Sequence, residues 1–200
     1  MANADRPSGL VPTQYLNGAP WTGGGRVYCI PSTDTNAYAI GDPVASAGSA
    51  DAAGIPTVTL ATAGTGNPVR GAIVSAGGSV FGGVLADPTN LNTTVIPATK
   101  THAYYVLVVD DPNVIFEIQE VTGGTAFTAT EVGLNANLVA GTNNGFVSGW
   151  EVNNSGDAVT ATLQLRLLQL APRRDNAFGE HAKWWVLINN HELRIGQVGL

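Results

Sequence analysis

YYVLVVDDPNVIFEIQEV, residues 104–121, carries the strongest secondary-structure signal in the chain. Tyr104–Val109 is apolar throughout, the pattern of a central strand covered on both faces. Asp110-Asp111-Pro112-Asn113 has turn chemistry, because Asp and Asn bond their own backbone and Pro pre-sets φ. Val114–Val121 then alternates, with Val114, Phe116 and Ile118 on one side and Glu117 and Gln119 on the other. The spacing predicts a β-hairpin.

Short runs of the same character flank this segment. Arg26–Ile30 alternates, and Tyr38–Ile40 leads through a Gly41-Asp42-Pro43 turn into Val44–Ser46. Pro56–Ala61 sets Val58 and Leu60 against Thr57 and Thr59, and a Gly64–Pro68 loop precedes a strand at Val69–Ser75. Residues 76–101 are looser. Further on, Val159–Leu167 alternates over its whole length, and Leu168 breaks the phase, which predicts a bulge. Trp184–Ile188 reads as a final buried strand, and only Ala129–Leu138 offers a helical turn. The fold class is mostly β, a sandwich or barrel that is either jelly-roll-like or made of two small β modules. The expected organisation is an extended arm at 1–25, a small barrel or sheet module at 26–100 and a sandwich module at 101–200, the last two meeting near 90–100 or forming one continuous domain.

Composition narrows the function classes. Only 12% of the 200 residues are charged, with a net charge of −6, against about 25% charged in an ordinary globular chain. Nucleic acid is not an expected partner, since the one adjacent basic pair, Arg173-Arg174, is followed by Asp175 and no basic footprint forms. No leader and no apolar run of membrane-spanning length is expected, and the lone Cys29 fits assembly in a reducing compartment. The 25 glycines and 11 prolines punctuate short strands, as in sandwiches and barrels.

Catalytic arrangements are not legible. Gly64–Pro68 lacks the pattern of a phosphate loop, and Ser148 in GFVSGW is one residue out of register for a nucleophile elbow. His102, His181 and His191 read as surface or interface polar groups, and His191-Glu192 lacks a zincin's second histidine. Asp110, Asp111, Glu117 and Glu120 are close in sequence, but they read as turn and strand-face residues rather than an acid–base pair or calcium loop. The sequons at Asn92 and Asn153 read as chance. Neither a cofactor nor a metal is expected.

The N-terminal stretch is different. Repeated Pro and Gly break any periodicity, yet it carries Leu10, Val11, Tyr15, Leu16 and Trp21. Disordered tails rarely hold so many large apolar groups. This predicts an arm buried against its own core or a neighbour. Adjacent Trp184 and Trp185 must point to opposite faces of a strand, so one enters the core and the other covers an interface. Leu10, Val11, Tyr15, Leu16, Trp21 and Trp185 are the expected subunit or capsid contacts.

The opening MANADRPSGLVP with NGAPW, the GDPV at 41–44, VLVVDDP at 106–112, VGLNANLVAG at 132–141 and AKWWVLINNHEL at 182–193 resemble a family of tailed-phage and prophage head proteins of the cement or decoration type. The similarity runs in order along most of the chain. The resemblance implies a β-rich, non-enzymatic virion protein on the outer capsid surface, often a homotrimer, that clamps neighbouring major capsid protein subunits. Its partners would be the major capsid protein and copies of itself, with no membrane and no small-molecule substrate. The alternatives are a carbohydrate-binding β-sandwich for host attachment, through Trp185 and Asn-rich loops, and a depolymerase using Asp110, Asp111 or Glu117.

Overall fold

The structure is a computed structural model that describes residues 3–76 and 95–194. The expected loose stretch at 76–101, with Asn92, falls largely on 77–94 and so lies outside the described residues. The chain is almost entirely β, with several antiparallel pairings and one closed barrel.

Five strands close the barrel: β2 (Arg26–Ile30), β3 (Pro43–Ala50), β4 (Pro56–Leu60), β5 (Gly71–Ala76) and β6 (Tyr104–Val109), in the order β2-β4-β3-β5-β6. β2 runs antiparallel to β6 from Arg26 opposite Val108 to Ile30 opposite Tyr104, and it closes the ring on β4 through a parallel pair, Cys29 and Thr57. Register shifts in β3 and β5 supply the extra curvature that closure requires. Tyr28, Ile30, Val58, Ile73, Val106 and Val108 fill the interior, each contributing about 1.5–3 kcal/mol if fully buried. The barrel takes its closing strand from beyond residue 100, the expected meeting point of two modules.

The second layer is a five-stranded antiparallel sheet in the order β1-β7-β12-β11-β8, formed by β1 (Val11–Tyr15), β7 (Val114–Gln119), β8 (Asn135–Ala136), β11 (Leu165–Leu170) and β12 (Lys183–Ile188). Phe116, Val186 and Leu167 lie in one cross-strand row and are almost wholly buried. They join barrel-wall residues Ala61, Val69, Ala72 and Val109 in one apolar cluster. The barrel and the sheet therefore share a core. A small two-stranded sheet, β9 (Leu138–Val139) with β10 (Glu151–Val152), adds Leu138 and Val152 to it.

Two expectations change and two hold. The predicted hairpin does not form: β6 and β7 flank a real turn, closed by Val114 N–H donating to Asp111 O, but they belong to different sheets. Both edges of β6 are taken by β2 and β5, and both edges of β7 by β1 and β12. Alternation reveals which side chains face inward, not which strand lies alongside. The strand expected at Val159–Leu167 begins only at Leu165. Val159 is exposed, and the carbonyls of Ala161 and Leu163 are taken by the Asn189 amide rather than by a neighbouring strand. The phase break at Leu168 is a real bulge, since the β11–β12 register shifts between Leu167 and Gln169. Ala129–Leu138 holds one 3-10 turn, Ala129–Glu131, with a Thr128–Glu131 capping box, before the chain becomes extended in β8 and β9.

Candidate interaction surface

The arm is stitched into its own chain. Leu10 has 0% exposure within the shared core, and Tyr15 and Trp21 pack against that core. β1 pairs along the edge of β7, with Val11 opposite Glu117 and Tyr15 opposite Val114. Beyond β1 the chain doubles back: Tyr15 N–H donates to Ala19 O and Trp21 N–H to Thr13 O. With Pro12 lacking a donor as well, the outer rim of β1 is blunted against further strand addition.

The path into β1 depends on a tight crossing. Gly9 and Gly41 both have positive φ, and Leu10 N–H donates to Gly41 O. A Cβ on Gly9 would lie 2.2 Å from Gly41 O, and one on Gly41 would lie 2.1 Å from Ser8 O. Neither position has room for a side chain. In the Gly41–Val44 motif, Asp42 is buried and accepts the Ala39 N–H at 2.8 Å, so this stretch builds the crossing. Ser148 joins it through Ser148 N–H donating to Ile40 O, and its Oγ accepts from Trp150 N–H. That hydroxyl serves as a cap.

Trp184 and Trp185 divide as the alternation predicts. Trp184 is fully buried and edge-on to Phe127, with centroids 5.6 Å apart. Trp185 is half-buried on the other face. There a row runs across four strands: Val11 opposite Glu117, Glu117 opposite Trp185, and Trp185 opposite Gln169. Val11 is 39% exposed. Arg173 pairs with Glu117 at 2.8 Å and Lys183 reaches the same carboxylate at 3.9 Å. The result is an amphipathic strip with an aromatic anchor near its centre and its charges paired among themselves. Leu16 is half exposed just past the other end of β1. Of the six expected contacts, Val11, Trp185 and Leu16 face outward to differing degrees, while Leu10, Tyr15 and Trp21 serve the chain's own core.

The four acidic residues clustered in sequence do not converge. Asp110 accepts a 2.7 Å bond from Tyr28 Oη and lies 3.6 Å from Arg26 Nε. Burial, then this bond, pushes the Tyr28 phenol up to about 12. Asp111 bonds the backbone of its own turn at Asn113, and Glu117 belongs to the outer strip. Glu120 has 0% exposure and accepts from Phe127 N–H, Asn154 Nδ2 and Trp184 Nε1. Its carboxyl is raised, chiefly by burial. An open cleft of about 410 Å³ lies above Asp110, walled by Tyr15, Arg26, Pro112, Val114 and Leu193. Its buried carboxylate is already partnered by a phenol and a guanidinium.

The histidines are also dispersed. His102 stacks on Tyr104 at 4.6 Å. His191 is buried at the seam where it bridges Val69 of the barrel. His181 lies beside Asp5 and Glu151, a grouping of residues far apart in sequence that no motif announces. Cys29 is buried and free, and burial raises its thiol, which disfavours the reactive thiolate. No family model, curated protein or solved structure matches this chain.

Proposed function

We propose that this chain is a non-enzymatic structural protein of a tailed-phage head, a cement or decoration protein that binds the outer capsid surface and clamps neighbouring major capsid subunits, as a homotrimer. The observation that carries this reading is the strip Val11–Glu117–Trp185–Gln169 on the outward face of the sheet. It is an outward face with a half-buried tryptophan, and aromatic anchors of this kind dominate interface energetics. The sparse charge of the chain and the ordered likeness to phage head proteins along its length support the same reading. Many modest contacts repeated over a shell add up through multivalency.

The test begins with purified virions, disrupted and quantified for this chain. The reading requires a copy number comparable with that of the shell protein, and absence from the particle would sink it. Removing residues 1–25 is a poor probe of attachment, because Leu10 and β1 belong to the fold. Trp185→Ala combined with Val11→Ser is cleaner: it should weaken capsid attachment at least tenfold while leaving the β circular-dichroism spectrum intact. If Trp185→Ala instead abolishes binding on a glycan array and leaves capsid attachment unchanged, the carbohydrate-binding reading replaces this one.

A further inference from the structure

Asp5, just ahead of β1, Glu151 of β10 and His181, in the turn before β12, come from three distant parts of the chain. One donor atom from each lies within 4.8 Å of the other two, and His181 Nδ1 is 3.7 Å from Asp5 Oδ1. Gln119, 1% exposed, lies behind them. Its amide Nε2 donates to Asp5 Oδ1 at 2.9 Å and to Glu151 Oε1 at 3.1 Å, while its carbonyl accepts from Arg6 N–H. A buried amide that holds two carboxylates toward one point is the outer-shell arrangement that orients metal ligands. Among the described residues, neither Asp5 nor Glu151 forms an ion pair with a lysine or arginine. His181 is, among the described residues, the basic group in ion-pair reach of Asp5, while Arg6, Arg173 and Lys183 lie around the cavity beyond the imidazole.

We propose that Asp5, Glu151 and His181 bind one divalent cation of the zinc type, which latches the N-terminal arm to the turn ahead of β12. The donor set selects the ion. One imidazole nitrogen with two carboxylate oxygens suits zinc, whereas calcium and magnesium take all-oxygen shells. Zinc bonds of about 2.0–2.2 Å place tetrahedral donors about 3.4 Å apart. Donors that lie within 4.8 Å of one another reach that spacing by a contraction of up to about 1.4 Å, most of it from the exposed Asp5 side chain. His181 also lines an open cavity of about 220 Å³ with Asn3, Arg6, Arg173 and Lys183, so the imidazole is reachable from solvent. The arm already touches this turn through Asn3, whose Nδ2 donates to Ala177 O and Glu180 O. The cation would close a junction that hydrogen bonds have begun.

The experiment titrates zinc alone into the full chain after chelator treatment, by calorimetry. One saturable site per chain is expected. Asp5→Asn and His181→Asn should each weaken binding at least tenfold. His102→Ala, remote from the trio, should leave it unchanged. Asn tolerates the positive φ of His181 (60°), and Asp5 is exposed, so both variants should fold. As a second readout, zinc should slow amide hydrogen exchange across 177–182 in the native chain and not in Asp5→Asn. Wild-type affinity in both variants, or no saturable site in the native chain, would overturn the proposal.

Discussion

Glu120 has no exposed surface, and a carboxylate in that position is tolerable because three donors meet it: the Phe127 N–H, the Asn154 amide and the Trp184 indole. Stranding buried donors costs about 1–3 kcal/mol each. Glu120→Ala should therefore lower unfolding free energy by roughly 3 kcal/mol or more, while Glu120→Gln, which keeps one acceptor oxygen, should cost clearly less. Urea denaturation of the two variants distinguishes them. His191 behaves in the opposite sense on titration. Burial first, then Arg194 and Arg70, depress its pKa from 6.5 to about 4, with Asp110 and Asp111 opposing. Its Nδ1 accepts from Leu193 N–H, so protonation there breaks a bond. The unfolded chain takes up a proton near pH 6.5 and the folded chain only near 4. Stability from the neutral ring is thus complete above pH 6.5 and lost as pH falls through about 4. The loss is at most about 3–4 kcal/mol, at about 1.4 kcal/mol per pH unit. In His191→Gln this dependence disappears, so its Tm should approach that of the native chain as pH drops from 7 to 4.

At the scale of the element, β1 is the revealing case. The apolar content of residues 1–25 announced burial, and Leu10 and β1 make that burial internal. Leu10→Ala should cost about 2–5 kcal/mol, measured by chemical denaturation, whereas Leu16→Ala, at the exposed end of the same arm, should be nearly neutral. Strand character was legible in the alternation of Arg26–Ile30 and Val114–Gln119 and in the continuous apolar run Tyr104–Val109, all close to their expected bounds, and the Leu168 bulge was visible as a phase break. The division of Trp184 and Trp185 was legible for the same reason. Pairing was not. A turn between two strands looks the same whether the chain folds back on itself or passes to another layer, and only the occupied edges of β6 and β7 decide it. Val159–Leu163 misled because its alternation carries no information about side-chain amides such as Asn189 that compete for its carbonyls. The grouping of Asp5, Glu151 and His181 could not be read at all, since it exists only once β1, β10 and β12 are in place.

At the scale of the molecule, the barrel and the sheet share one apolar cluster that includes Val69, Ala72 and Val109 from the barrel and Phe116, Leu167 and Val186 from the sheet. Neither layer can open without exposing the other. Scanning calorimetry should therefore show a single transition whose calorimetric and van't Hoff enthalpies agree. Two resolved peaks would mean that the layers are energetically separate. The place of β1 beside β7 also has a consequence in time. β1 is made first, yet its partner follows about a hundred residues later, after every barrel strand has been synthesised. At about 5–20 residues per second, the arm waits on the order of 5–20 s for its place. During that interval β1 is without its partner strand, and Leu10, Tyr15 and Trp21 are without the shared core they later join. The order of synthesis makes this arm the last-paired of the early strands.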